Sequence, residues 1–236
     1  MSQEILIGRR NFLRNTAGGA LLGAGALALP ACTSFGGPLS FTDAIRRLLY
    51  LSSERAFARL VEPGGYWDDT VRSIGLGNML GARGDILGTI LTSAIFRDRL
   101  ANAFSGFAAE AAYNAAPVVA DTIRVIGLQN AIALVRGGPT AATGFLRQNM
   151  GVSLVEAMVP ELSDAMRLSR EPLVGQALSL ISGVDIAGVA NRFAGTVDTA
   201  IWNEMGVEES AIRRDPQATG DPLLIGVFGG AGALGG

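Results

Sequence analysis

The chain has 236 residues, of which 49% are apolar and 17% charged, and its formal net charge is -2. It contains one Cys, no His and no Lys. These absences exclude His-based triads, Schiff-base and phosphate-binding lysines, and zinc or haem sites built on His or several Cys. The apolar content excludes a disordered chain, and the scattered arginines argue against a nucleic-acid partner.

The first thirty residues have the pattern of an export signal. Arg9 and Arg10, followed by Phe12 and Leu13, resemble the twin-arginine signal of bacteria. The apolar stretch from about residue 17 to 29 is too short to span a membrane as a helix. We therefore predict that residues 1–31 are an export signal, with a general-secretory signal as the alternative.

The only Cys lies at the end of this apolar stretch. Leu29-Pro30-Ala31-Cys32 resembles the bacterial lipobox, in which the Cys thiol is acylated and the chain is cut just before it. Thr33 follows where an Asp would favour inner-membrane retention, so the resemblance favours the outer membrane. We predict a periplasm-facing, membrane-anchored protein with residues 32–39 as a tether. Ordinary signal cleavage next to an incidental Cys is the alternative.

The spacing of apolar residues from residue 40 to 229 predicts a succession of helices. Ser40 and Asp43 have capping-box spacing, so the first helix should begin at Ser40 and end at Pro63-Gly64-Gly65. Residues 66–84 predict a long loop or a short helix, and residues 230–236 a flexible Gly-rich tail. Because alternating β patterns are missing, we predict a single all-α domain of about 8–10 helices.

The later helices follow from apolar spacing, proline and glycine. The stretch from Asp85 to Ile126 predicts two helices separated at Pro117, and a short helix runs from Leu128 to Arg136. The next helix starts near Pro139 and reaches Met158. Further helices are predicted at residues 161–169, 172–181, 185–193 and 197–213. The pairs Asp215-Pro216 and Asp221-Pro222 each predict an N-cap with Pro at the first helical position.

Three blocks in the second half of the chain carry a family resemblance. The carboxyl-terminal block contains Glu208, Glu209, Ile212, Arg213, Asp215, Pro216, Leu223, Leu224, Val227, Phe228 and Gly229. The other two contain Gly137, Gly138, Ala141, Ala142, Thr143, Phe145, Leu146 and Arg147, and Ala108-Ala109-Glu110. In order and spacing they resemble the bacterial exported proteins grouped as domain of unknown function 4197, from about Ala101 to Gly229. The resemblance implies a helical, exported, often membrane-anchored protein, and it implies no activity.

The chain departs from this family pattern in two places. Ile225-Gly226 stands where lysines are common, and Gly106-Phe107 stands where the family tends to have Asn-Arg. The first departure bears on any role that depends on charge.

The densest charge cluster follows residue 207. Glu209 and Arg213 have the favourable i,i+4 helical order. A guanidinium group can clamp a carboxylate of another helix and so fix the docking of the last helix. The alternative is a ligand or partner contact made by Glu209, Arg213, Asp215 and Arg147.

The leading functional hypothesis is a non-enzymatic binding or scaffold module of the cell envelope. No catalytic, cofactor-binding or metal-binding residue is assigned, and the expected partners are the membrane and an envelope protein. One alternative is a hydrolase of an envelope glycan that uses Asp68, Asp69 and Glu110, because glycoside hydrolysis needs two carboxyl groups. Another is a helical bundle that binds an apolar ligand such as a lipid.

Overall fold

The computed structural model describes residues 38–74, 94–175 and 186–229. These ranges contain no strand, so the all-α prediction is confirmed. The predicted signal residues Arg9, Arg10, Phe12 and Leu13, the predicted acylation site Cys32 and the tail 230–236 lie outside the described residues. No helix in the described ranges has both the length and the hydropathy of a membrane-spanning segment.

Eight α-helices and one short 3-10 helix follow one another along the described ranges. They are α1 (Pro38–Leu60), α2 (Tyr66–Ile74), α3 (Ala94–Val125), α4 (Ala131–Val135), α5 (Ala141–Met150), α6 (Ser153–Leu168), α7 (Ile186–Arg214), the 3-10 helix (Pro216–Thr219) and α8 (Pro222–Phe228). Residues 172–175 are helical as well.

The long helices α1, α3, α6 and α7 enclose the main core. Helix α7 packs against α1, α5 and α6, and α3 packs against α1, α2 and α6. The rings of Phe104 on α3 and Phe193 on α7 meet edge to face, with 5.4 Å between their centroids, and both are fully buried. This edge-to-face geometry is the one that aromatic quadrupoles favour. The shorter helices α2, α4, α5 and α8 pack onto this frame.

Helix α1 begins two residues before the predicted capping box. Pro38 occupies the start of the helix, so Ser40 already lies within its first turn. Proline suits this position because its fixed φ is helical and its missing N–H has no intrahelical partner there. Asp43 instead lies 3.8 Å from Arg46, one turn further on. The predicted start at Ser40 was therefore wrong.

Two prolines lie inside helices that the sequence analysis had divided. Pro117 lies within the continuous helix α3, and Pro160 lies within α6. Each proline removes the hydrogen bond to the carbonyl four residues earlier. Pro117 is exposed and so is Tyr113, while Pro160 and Glu156 are exposed in the same way. Because water can reach those carbonyls, both helices continue, and the predicted boundary at Pro117 was wrong.

Two other predicted boundaries also move. The predicted helix from Pro139 to Met158 is divided at Gly151, whose φ of 56° lies in the left-handed region that favours glycine. Conversely, the predicted helices 185–193 and 197–213 form one helix, α7. Phe193, Ala194 and Val197 are all buried, so a single apolar face runs through the predicted break and keeps it helical.

The two Asp-Pro pairs act as predicted. Asp215 accepts a hydrogen bond from the Ala218 N–H and starts the 3-10 helix. Asp221 accepts bonds from the N–H groups of Leu223 and Leu224 and starts α8. The Arg47 guanidinium on α1 lies 2.7 Å from the same carboxylate. Burial alone would raise the pKa of Asp221, but the hydrogen bonds from Arg47, Leu224 and Leu223 outweigh it and lower the pKa.

We expect Asp221→Ala to lower the free energy of unfolding by about 1–2 kcal/mol at neutral pH, because a helix cap is lost. Since the folded-state pKa is lowered, the stabilisation is fully present above the ordinary Asp pKa and is lost as pH falls through the folded-state value. Urea unfolding at several pH values measures this difference. Asp121→Ala, at an exposed ion pair with Arg124, is the control and should change stability by no more than about 0.5 kcal/mol. A difference between Asp221→Ala and wild type that grows towards acid pH would contradict the assignment.

Candidate functional site

Glu209 and Arg213 form a buried ion pair on α7. Arg213 Nε donates to Glu209 Oε1 at 2.8 Å, and Arg213 Nη2 lies 2.8 Å from the same oxygen. Glu209 is fully buried, and the Arg213 side chain is 9% exposed. The i,i+4 order seen in the sequence therefore brings the two groups into direct contact inside the protein.

The Glu209 carboxylate also caps the start of α5. The backbone N–H groups of Ala142 and Thr143 donate to its two oxygens at 3.0 and 2.7 Å. These are first-turn N–H groups without an intrahelical partner, and a negative charge is favoured at this end of a helix. Thr140, at the N-cap position, makes no side-chain capping bond. Glu209 thus supplies from another helix the cap that α5 lacks locally.

Arg213 satisfies the opposite kind of helix end. Its Nη1 and Nη2 donate to the carbonyls of Val135 at 3.0 Å and Leu134 at 2.9 Å, in the last turn of α4. The Phe228 ring of α8 lies 4.8 Å from the guanidinium carbon. The sequence predicts that Arg213 clamps a carboxylate of another helix. Instead, it pairs with Glu209 of its own helix and reaches the neighbouring helix through backbone carbonyls.

The four predicted contact residues therefore have different surroundings. Glu209 is fully enclosed and Arg213 nearly so, which leaves no carboxylate surface for a ligand. Asp215 is exposed and caps the 3-10 helix. Within the described part of the chain, Arg147 is the member of this set that lines an open groove.

This α5/α7 groove has a volume of about 550 Å³. It is lined by residues of the start of α5 and of the second half of α7: Thr140, Thr143, Gly144, Arg147, Trp202, Asn203, Gly206, Val207, Ser210 and Arg214. Gly206 permits the close approach of the two helices, because a Cβ there would lie 3.2 Å from Thr140 Cγ2. The Thr143 hydroxyl is buried and has no hydrogen-bond partner among the described residues. The groove thus combines two guanidinium groups with an unpaired hydroxyl.

Asp198 holds Arg147 at the groove. Arg147 Nη2 lies 3.3 Å from one Asp198 oxygen, and the Trp202 indole N–H donates to the other at 2.7 Å. Burial raises the pKa of Asp198, and the Trp202 and Arg147 contacts offset only part of that rise. Asp198 is a positioning residue, because it lies next to the lining residues and is not one of them.

The carboxylates of the hydrolase hypothesis lie on helices α2 and α3. Asp68 and Asp69 are in the first turn of α2, each within 4.0 Å of Arg72, and the Asp69 side chain is 95% exposed. Glu110 is exposed on α3. This placement fits acidic residues that stabilise a helix start. In the ranges given above, no three Asp, Glu or Cys side chains are grouped closely enough to hold a metal ion.

Comparison with protein families gives a match over most of the chain. The family model described as "Protein of unknown function (DUF4197)" matches residues 38–229, from the first residue of α1 to the residue after α8. The chain belongs to the DUF4197 family. Neither curated proteins nor solved structures gave a match. The family match confirms the resemblance seen in the sequence and extends it upstream over α1 and α2.

Most of the groove of this DUF4197 protein could not be predicted from the sequence. Trp202, Asn203 and Gly206 were not singled out, because each is an ordinary residue in a helical pattern. One signal was available: Asp198 and Trp202 are four residues apart, which puts a carboxylate and an indole N–H on the same helix face. Arg147, which contacts Asp198, lies 51 residues away in the sequence, so this contact could be identified only from the fold.

Proposed function

We propose that this DUF4197 protein is an exported, acylated and non-enzymatic binding module of the cell envelope that holds a small anionic ligand in the α5/α7 groove. One observation carries the ligand: Arg147 and Arg214 share a 550 Å³ groove with the buried, unpaired hydroxyl of Thr143. Its volume lies within the range of small-molecule sites. The anchor rests on the sequence around Cys32.

The chemistry of arginine favours an anion. A guanidinium carries five N–H donors in a fixed fork that matches carboxylate and phosphate oxygens. Arg147 uses one nitrogen on Asp198, and Arg214 uses its Nε on the Ser210 carbonyl at 3.3 Å, so each keeps donors for a ligand. The Thr143 hydroxyl adds a neutral donor beside them. A ligand with a carboxylate or phosphate group would satisfy all three.

Native mass spectrometry of the protein extracted gently from its own membranes tests both parts. We expect a lipid mass on Cys32 and a second, non-covalent mass from a bound anion. Replacing Arg147 with Met should weaken retention of the anion at least about tenfold, because a hydrogen bond to a charged group is lost. Stability should change by no more than about 1 kcal/mol, since the Arg147 side chain is 45% exposed.

Arg136→Met is the matched control, because Arg136 is exposed near α5 and is not among the groove residues. It should leave both masses unchanged. An unacylated chain that still carries the anion would contradict the proposed lipid anchor and support the proposed ligand site in the groove. An anion that stays bound to the double variant Arg147→Met/Arg214→Met would rule out the groove as its binding site and would not affect the proposed lipid anchor.

A further inference from the structure

A second cavity, of about 320 Å³, lies between the α1–α2 loop, the start of α2 and the middle of α3. We call it the α2/α3 cavity. Two of its wall residues carry polar atoms that are buried without a hydrogen-bond partner in the described part of the chain: Trp67 Nε1 and Ser105 Oγ. Trp67 is 2% exposed and Ser105 is 7% exposed. None of the residues of the α5/α7 groove lines this cavity.

Unpaired groups of this kind are costly. A buried donor or acceptor without a partner costs about 1–3 kcal/mol. Some helical hydroxyls in the protein avoid that cost by bonding to the carbonyl four residues earlier, as Thr122 does to Val118 at 2.8 Å and Ser163 does to Val159 at 2.7 Å, whereas those of Ser52 and Thr143 do not. Ser105 makes no such bond. Two unpaired groups on one cavity wall indicate a molecule that completes them.

The charges of the residues that line the cavity indicate the chemical class of that molecule. Glu62, Asp68 and Asn102 also line the cavity, and no arginine does so among the described residues. The carboxylates disfavour an anion. The indole N–H is a donor only, so it needs an acceptor lone pair, which an ammonium group does not have. A neutral hydroxyl group accepts from Trp67 and donates to a carboxylate at the same time.

We propose that the α2/α3 cavity binds a neutral polyhydroxylated molecule of monosaccharide size. A hydroxyl oxygen accepts the Trp67 N–H, Ser105 bonds to a second hydroxyl, and Asp68 and Glu62 accept hydrogen bonds from the remaining ones. Gly106 leaves room for it, because a Cβ at that position would meet no atom within 4 Å. Gly106 and Ala109 keep this part of the wall small and uncharged.

The chain has two tryptophans, so the indole N–H signals of Trp67 and Trp202 can be followed separately by NMR. We would titrate the full-length, 15N-labelled protein in a sugar-free detergent with glucose and N-acetylglucosamine. Glucosamine and glucose 6-phosphate serve as the cationic and anionic counterparts. We expect the neutral sugars to shift the Trp67 signal with saturation at millimolar concentration, and the charged ones to bind at least about tenfold more weakly.

Two variants separate binding from folding. Gly106→Leu should block the cavity and abolish the Trp67 shift, while it preserves or raises the melting temperature, because glycine is unfavourable inside a helix. Gly226→Leu is the matched control, since Gly226 is a helical glycine with the same open surroundings, outside the cavity. Ser105→Ala should weaken binding about tenfold without loss of stability, because its hydroxyl has no partner to lose.

Several outcomes would overturn the proposal. One is that neither neutral sugar shifts the Trp67 signal, which would leave ordered water as the occupant of the cavity. Another is that Gly106→Leu binds as well as wild type, or that a charged sugar binds more tightly than the neutral ones. A response of the Trp202 signal to glucose 6-phosphate alone would report the α5/α7 groove instead. The two sites can therefore fail independently.

Discussion

Replacing Glu209 with Gln is expected to lower the free energy of unfolding by about 3–5 kcal/mol, because it leaves the Arg213 guanidinium buried without a counter-charge. The amide would also place an N–H₂ group near the Ala142 and Thr143 N–H groups, which now donate to the carboxylate. Both effects arise at the Glu209 side chain, which is fully buried. Urea unfolding followed by circular dichroism measures the change.

The neighbouring residue provides the control. Glu208 lies 3.4 Å from Arg59, whose side chain is 53% exposed, and an ion pair with such a solvated partner contributes at most about 1 kcal/mol, so Glu208→Gln should be mild. The double variant Glu209→Gln/Arg213→Met should regain part of the loss, since it removes both members of the buried pair. Equal losses for Glu208→Gln and Glu209→Gln would contradict the role that we assign to Glu209.

Truncation of the aromatic pair in the core should have an effect of similar size. We expect Phe193→Ala to destabilise the protein by about 3–5 kcal/mol, because it removes a fully buried ring and leaves a cavity between α3 and α7. Thermal and urea unfolding measure the loss. Leu168→Ala, at a side chain that is 79% exposed, is the control and should change stability by no more than about 0.5 kcal/mol.

The contact between the two rings can be isolated from the burial of each ring. A double-mutant cycle with Phe104→Ala should give a coupling energy of about 0.5–1.5 kcal/mol, the usual contribution of an aromatic pair beyond area. Strict additivity of the two single losses would show that the edge-to-face contact contributes nothing of its own. The loss of stability expected from the space that Phe193→Ala leaves in the core would be unaffected.

The sequence predicted the fold class and several local features of the structure, because these depend on near neighbours. Asp215 and Asp221 start their helices as the Asp-Pro pairs indicated. The continuation of the helices through Pro117 and Pro160 depended on which side of each helix faces water, and one sequence does not reveal that side before the packing is known. The break at Gly151 depended on a left-handed φ, which a glycine allows but does not require. Local patterns therefore predict elements better than they predict where those elements stop.

The candidate sites could be predicted only in part, for the same reason. The Glu209–Arg213 pair stood out as charges in helical register, and Arg147 stood out because it follows the Ala-Ala-Thr block. The capping of α5 by Glu209 joins residues 66 and 67 positions apart, so no local pattern contains it. The unpaired hydroxyls of Thr143 and Ser105 are recognised by what they fail to contact, and that requires coordinates.

The first turn of α5 takes part in two sets of contacts. The backbone N–H of Thr143 is bonded to buried Glu209, while the side chain of the same residue lines the α5/α7 groove. A ligand bound there meets a turn that is already ordered, so little conformational entropy is lost on association. If an anion binds the groove as proposed, thermodynamic linkage predicts that it raises the melting temperature of the protein and that a weakened Glu209 contact lowers its affinity.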